Sequence, residues 1–151
     1  MNKTLKSARG FTLIEILVVI GIIAILAAVV LIAINPARQF SQANNSQRTS
    51  NVNAILNAVG QKLADGKGAF NTGGCPALPT TLSEIIVGGT VSGNQVDLAC
   101  LTPTYLPSFP FDPATGNTAS TTGYFIIVDG NSRVTVSAPD AELSQTISVT
   151  R

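Results

Sequence analysis

A run of apolar residues from Gly10 to Ile34, GFTLIEILVVIGIIAILAAVVLIAI, holds a single charge, Glu15. The run is long enough to cross a bilayer, since a membrane helix needs about 20 apolar residues. The acid demands compensation, because a carboxylate inside such a helix costs roughly 2.5 to 3.5 kcal/mol on insertion scales. No Lys, Arg or His follows within the apolar run. A partner must therefore come from another chain or from a chain terminus, and the terminus fits the sequence better.

The run is preceded by a polar leader, MNKTLKSARG, with Lys3, Lys6 and Arg9 and no acid. Positive charge at this end predicts a cytoplasmic N-terminus, with everything after Ile34 outside the inner membrane. A cleaved secretory signal peptide is the competing reading. It would place a small-residue cleavage site after the apolar run, where Ala33-Ile34-Asn35 is a poor match, whereas Gly10 lies before it.

A basic leader, then GFTLIE at Gly10 to Glu15, then about 20 apolar residues resembles a type IV prepilin over Met1 to about Leu31. The resemblance implies cleavage by a membrane aspartyl peptidase between Gly10 and Phe11 and N-methylation of Phe11. It implies handling by an inner-membrane assembly platform and self-association into a helical filament. It also implies that Glu15 pairs with the new amine of a neighbouring subunit; a buried pair of this kind fixes register more than it stabilises. A carboxylate four residues from that amine is not expected to bond its own helix start while serving a neighbour. The implied fold is α+β, pilin-like: a long N-terminal helix, membrane-spanning in its first half, on a small antiparallel sheet with irregular loops. The same signal occurs in pseudopilins of type II secretion systems, which would keep the protein at the periplasmic face rather than in a surface filament. A membrane-anchored ligand-binding module is a third reading, weakened by two Tyr, six Phe and no Trp from which to build an aromatic site.

The expected segments are a leader at 1–10, a filament-core helix at 11–34, a second helical half at 35–65 and an extracytoplasmic β-domain at 66–151. Gly21 and Pro36 are the expected weak points of the helix, with a kink or break near Asn35, because proline removes a helical hydrogen bond and disfavours helix at the preceding residue. Val52, Ile55, Leu56, Val59 and Leu63 share one helix face. Gln42 to Asn51 is rich in weak helix formers and is plausible as helix only within a longer one. Asp65-Gly66-Lys67-Gly68 is a stop signal.

Cys75 and Cys100, both on the extracytoplasmic side, read as a disulfide, with two free thiols as the alternative. A zinc site finds no support, since the chain has no His. Thr81-Leu82-Ser83-Glu84 reads as a capping box opening a short helix through Ile86. Four prolines make Thr102 to Asn117 irregular. Tyr124–Val128 and Arg133–Val136 read as a hairpin, and Gln145–Thr150 as an edge strand. The stretch from Tyr105 to Gly116 also resembles the region before the terminal hairpin of small pilins and pseudopilins. Some of these hold calcium, for which Asp112, Asp129 and Asp140 are weak candidate ligands without the dense acid spacing of a calcium loop.

Catalysis is not expected. There is no His, no nucleophile–base set and no phosphate-binding loop. The net charge of +1 comes from the leader, so the processed chain is slightly acidic, and no basic stripe or nucleic-acid motif is present. No cofactor is expected; the expected partners are like subunits, the prepilin peptidase, the assembly platform and membrane lipid.

Overall fold

The computed structural model describes residues 10–151 other than 115 and 119. Lys3, Lys6 and Arg9 of the leader lie outside the described residues. Two compact units divide between Gln39 and Phe40.

The first unit holds helix α1, Leu13–Ala33. The helix runs unbroken through Gly21, so the weakness expected there is not expressed as a break. A side chain at Gly21 would meet no atom within 4 Å. The break falls at Ile34, in extended conformation, and Asn35. Asn35 Oδ1 accepts the Arg38 backbone N–H at 3.2 Å and Pro36 is the first residue of helix α2, Pro36–Asp65. Asn35-Pro36 thus starts a helix as well as ending one, since Asn caps an N-terminus and Pro suits the first helical position.

The second unit runs from Phe40 to Arg151 and includes most of α2. Five strands follow: β1 Ser83–Ile86, β2 Gln95–Asp97, β3 Thr121–Val128, β4 Val134–Ala138 and β5 Ile147–Thr150. Their order in the sheet is β2-β1-β3-β4-β5. The β3–β4 hairpin and the edge strand β5 fall where the alternating runs place them. The sheet is mixed rather than antiparallel, because β1 and β2 pair in parallel. Gly88 and Gly93 take left-handed conformations, φ 68° and 56°, that let a short loop carry the chain back to start β2 beside the start of β1.

The segment expected as a helix at Thr81 to Ile86 is instead β1. The Ser83 hydroxyl donates to the Thr81 carbonyl at 3.0 Å rather than capping a helix. Ser83, Ile85 and Ile86 are buried, and β1 pairs on both sides. Two β-branched residues with partners on either edge outweigh a local capping pattern.

Val52, Ile55, Leu56 and Val59 of α2 are buried in one cluster with Ile85, Leu98, Leu101, Tyr124, Ile126 and Val136, and Leu63 packs against it. Burying such a side chain contributes about 1.5–3 kcal/mol. The helix ends as the DGKG sequence requires. Gly68, at φ 91°, donates its N–H to the Leu63 carbonyl at 2.8 Å, and a Cβ on Gly66 would lie 2.0 Å from the Ala69 carbonyl oxygen.

Cys75 and Cys100 form a disulfide. It ties the segment before β1 to the short 3-10 helix Ala99–Leu101 after β2. For a loop of 25 residues, the chain-entropy model gives about 3 kcal/mol of stabilisation. Urea unfolding of the Cys75→Ala/Cys100→Ala chain should show a loss of that size, and an unchanged midpoint would rule the cross-link out as a stabilising element.

Candidate functional site

Gly10, Phe11, Thr12 and Glu15 stand together at the start of α1. Thr12 is the N-cap, in extended conformation at φ −81° and ψ 153°. Its hydroxyl oxygen accepts the Glu15 backbone N–H at 3.3 Å. The Glu15 side chain reaches back, and Oε2 accepts the Thr12 backbone N–H at 2.9 Å and the Thr12 hydroxyl at 3.0 Å. This reciprocal arrangement is a capping box, which satisfies donors that the first helical turn leaves unpaired. In the single chain Glu15 bonds its own helix start. Both bonds fall on Oε2, and Oε1 takes part in neither. A carboxylate has lone pairs for several donors, so the capping role leaves room for a further one.

Nothing in the fold explains the glycine before this box. Among the described residues, a Cβ at Gly10 would meet no atom within 4 Å, and its backbone is not left-handed. The small residue is therefore not required by packing here. Phe11 is exposed, as is α1 from Leu13 to Ile32, including Ile16, Leu17, Ile20, Ile23 and Val30. Leu13–Ile32 has a mean hydropathy of 3.2 and is long and apolar enough to cross a membrane.

The second concentration of polar chemistry is in the other unit. The Arg48 guanidinium, on the α2 face that also carries Val52 and Ile55, is 1% exposed, and the Asp112 side chain is fully buried. They bond twice, Nε to Oδ2 at 2.8 Å and Nη2 to Oδ1 at 3.0 Å. Arg48 Nη1 also donates to Asn45 Oδ1 and to Glu142 Oε1. Asn45 brackets the Glu142 backbone, accepting its N–H at 2.9 Å and donating to its carbonyl at 2.8 Å. Asn51 donates to the Tyr124 hydroxyl at 2.8 Å, while burial pushes the Tyr124 pKa up to about 12. Hydrogen bonds from Ser41, Asn44 and Arg48 hold Glu142 down at about 2. Among the described residues, no buried side-chain N or O lacks a partner.

The three calcium candidates are not brought together. Both Asp112 oxygens are engaged by Arg48, and Oδ1 also accepts the Ala114 N–H. Asp129 closes the β3–β4 turn, accepting the Asn131 and Arg133 backbone N–H groups and pairing with the Arg133 guanidinium. Asp140 Oδ2 accepts from Asn117. Among the described residues, no group of three or more His, Cys, Asp or Glu side chains is placed to hold a metal ion.

Removing one partner of a buried ion pair leaves an uncompensated charge, a loss of about 3–5 kcal/mol. Arg48→Met and Asp112→Leu should each lower the urea midpoint accordingly, and the double variant should recover most of the loss. If the single changes are neutral, the pair does not hold α2 to the sheet. Glu142 gives a pH dependence of defined sign. Its pKa is lowered on folding, so its contribution is complete above about pH 5 and fades towards about pH 2. Glu142→Gln should therefore flatten the acid side of the stability–pH profile while leaving its slope near neutrality unchanged, as read by thermal unfolding across that range.

The comparisons bear on the first site. The family described as "Prokaryotic N-terminal methylation motif" matches residues 5–31, which include Gly10, Phe11, Thr12, Glu15 and most of α1. Neither curated proteins nor solved structures give a match. With a glycine that the fold does not require, a capped carboxylate and a bare apolar helix, the chain carries the prokaryotic N-terminal methylation motif, the prepilin signal of type IV pilins and pseudopilins.

Proposed function

We propose that this protein is a structural subunit of a type IV pilus-like filament. It enters the inner membrane as a prepilin, is cut between Gly10 and Phe11, is N-methylated at Phe11 and polymerises through α1. The observation that carries this reading is α1 itself. It is an apolar helix long enough to span a bilayer, exposed from Leu13 to Ile32 and headed by one carboxylate within the methylation motif. Such a surface needs either lipid or other helices around it.

Moving α1 from lipid into a bundle of like helices gains little hydrophobic energy, because lipid tails are already apolar. Selectivity must then come from close packing and from the charges. Cleavage exposes an amine on Phe11, and Glu15 Oε1 is the acceptor that the capping box does not use. Pairing that oxygen with the amine of a neighbouring subunit neutralises both charges and fixes the axial stagger.

Mass and N-terminal peptide analysis of sheared surface material and washed membranes tests the reading. A chain starting at N-methylated Phe11 in the sheared fraction is the expected result. The same species confined to membranes would favour a pseudopilin, and an uncut chain in both would end the proposal. Glu15→Leu should leave a processed, membrane-resident monomer whose filament yield falls well below that of the unaltered chain. Normal yield would remove Glu15 from register setting. Gly10→Val should accumulate the uncut form, because the side chain fits the fold but not a cleft that requires glycine.

A further inference from the structure

We infer that the second unit carries a groove that binds a single-chain fatty carboxylate, with the head held at Arg151 and the tail lying against Phe70 and Leu78. Every residue involved belongs to that unit, so the inference is independent of how α1 is used. The groove runs between the second half of α2 and the β3–β4 hairpin in two stretches. The first, of about 560 Å³, is lined by Leu56, Val59, Gly60, Leu63, Val134 and Arg151 among others. The second, of about 550 Å³, is lined by Leu63, Phe70, Leu78, Val128 and Val134 among others. Leu63, Ser132 and Val134 border both, so the two stretches are continuous. Each has the size of a small-molecule site, roughly 300–1,000 Å³.

Charge stands at one end only. Arg151 is the single ionisable residue lining either stretch, and no acid does. Its Nη1 donates to Asn57 Oδ1, and its Nη2 donates to Asn53 Oδ1 at 3.1 Å. No ion pair among the described residues includes Arg151. Two neutral amides thus fix a cation at the end of an apolar groove without neutralising it. A guanidinium has more N–H donors than these two bonds use, and a carboxylate is the group its fork matches best.

Gly60 keeps the first stretch open. It is the one glycine in α2, where glycine is the least favourable helix residue after proline. A Cβ there would meet no atom within 4 Å, so no contact inside the fold requires it. A side chain at that position would enter the groove instead. From Leu56 to Ala64 the first stretch follows α2 for about 12 Å at 1.5 Å per residue, and the second carries it on to Phe70. An extended chain advances about 1.2 Å per bond, so a tail of about 12 carbons spans the first stretch and enters the second. An extended peptide fits less well. The bordering strands β3 and β4 are each paired on both sides, which leaves no open sheet edge in the groove for a peptide backbone to join.

The full-length protein in phosphatidylcholine nanodiscs would be photolabelled with dodecanoic acid carrying a diazirine at its tail, and the labelled residues mapped by mass spectrometry. Label is expected around Phe70, Leu78 and Val128, and also on α1 from probe dissolved in the lipid. Unlabelled dodecanoate should abolish the groove label and leave that on α1. Dodecan-1-ol should compete about tenfold less well, the difference made by a hydrogen-bonded charge, and Arg151→Gln should erase that difference. Gly60→Leu should lose the groove label with a thermal midpoint no lower than that of the unaltered chain. Label confined to α1, or dodecan-1-ol competing as well as dodecanoate, would overturn the inference. So would a groove label that survives Gly60→Leu, or one that a diazirine phosphatidylglycerol gives and dodecanoate cannot displace, which would assign the groove to membrane phospholipid. Should Gly60→Leu unfold the chain, the comparison of competitors on the unaltered chain and on Arg151→Gln still decides.

Discussion

A helix that its own chain leaves bare sets the terms for the rest of this protein. Among the described residues none of α1 belongs to the hydrophobic core, which is built from α2, the sheet and the loops between them. Its roughly 20 apolar residues must be solvated by something else, and the choices are lipid or other helices. The two compact units follow from this division: one adapted to an apolar surrounding, the other folding in water around its own core. The sequence change at Asn35-Pro36 separates the two regimes. Asparagine and proline end an apolar helix long enough to cross a bilayer and open one whose stability comes from packing.

The second unit depends in turn on an ion pair. The first turns of α2 are rich in Asn, Ser, Gln and Thr, residues that weaken a helix through competing side-chain bonds. In this structure those side chains are turned to use. Asn44, Asn45, Arg48 and Asn51 bond to the irregular segment around Asp112 and to the loop at Glu142. The Arg48–Asp112 pair is buried and bidentate, the geometry in which a guanidinium and a carboxylate are most strongly matched. Apolar packing holds the second half of α2, and polar bonding holds the first.

Much of this organisation is legible in the sequence, and the exceptions have physical reasons. The apolar face of α2, its DGKG stop, the β3–β4 hairpin and β5 follow from period and turn chemistry, which are local. β1 does not, because its capping-box pattern is overruled by partners beyond the local sequence, β2 on one edge and β3 on the other, with the Thr122 hydroxyl bonded to the Ile85 carbonyl at 2.6 Å. The parallel β1–β2 pair is similarly non-local. Arg48 could have been singled out: it occupies the i−4 and i−7 position to Val52 and Ile55, and a charge on a buried face demands a partner. Which acid supplies it is not encoded nearby, since Asp112 is 64 residues away. Asp112 looked like a free ligand only because its partner was out of sight. At the first site, Thr12-Leu13-Ile14-Glu15 fits the capping-box pattern directly.

That local role bears on how one acid can serve two states. Before cleavage, a charged carboxylate near a membrane helix needs donors at once, and the Thr12 N–H and hydroxyl provide two on a single oxygen. The helix end adds its own positive dipole, which favours a carboxylate in the first turn. The acid is thus tolerable in a lone subunit without a neighbour. In the proposed processing, cleavage would add an amine one residue before the cap, raising local positive charge without displacing either existing bond. Because Oε1 is not used by the box, a neighbour's amine can be accepted without first dismantling the cap. A carboxylate that had to leave its own helix to reach a neighbour would lose its capping bonds as it formed the new one, and assembly would gain less. Holding one oxygen on Thr12 and presenting the other would make capping and the proposed register setting additive rather than competing.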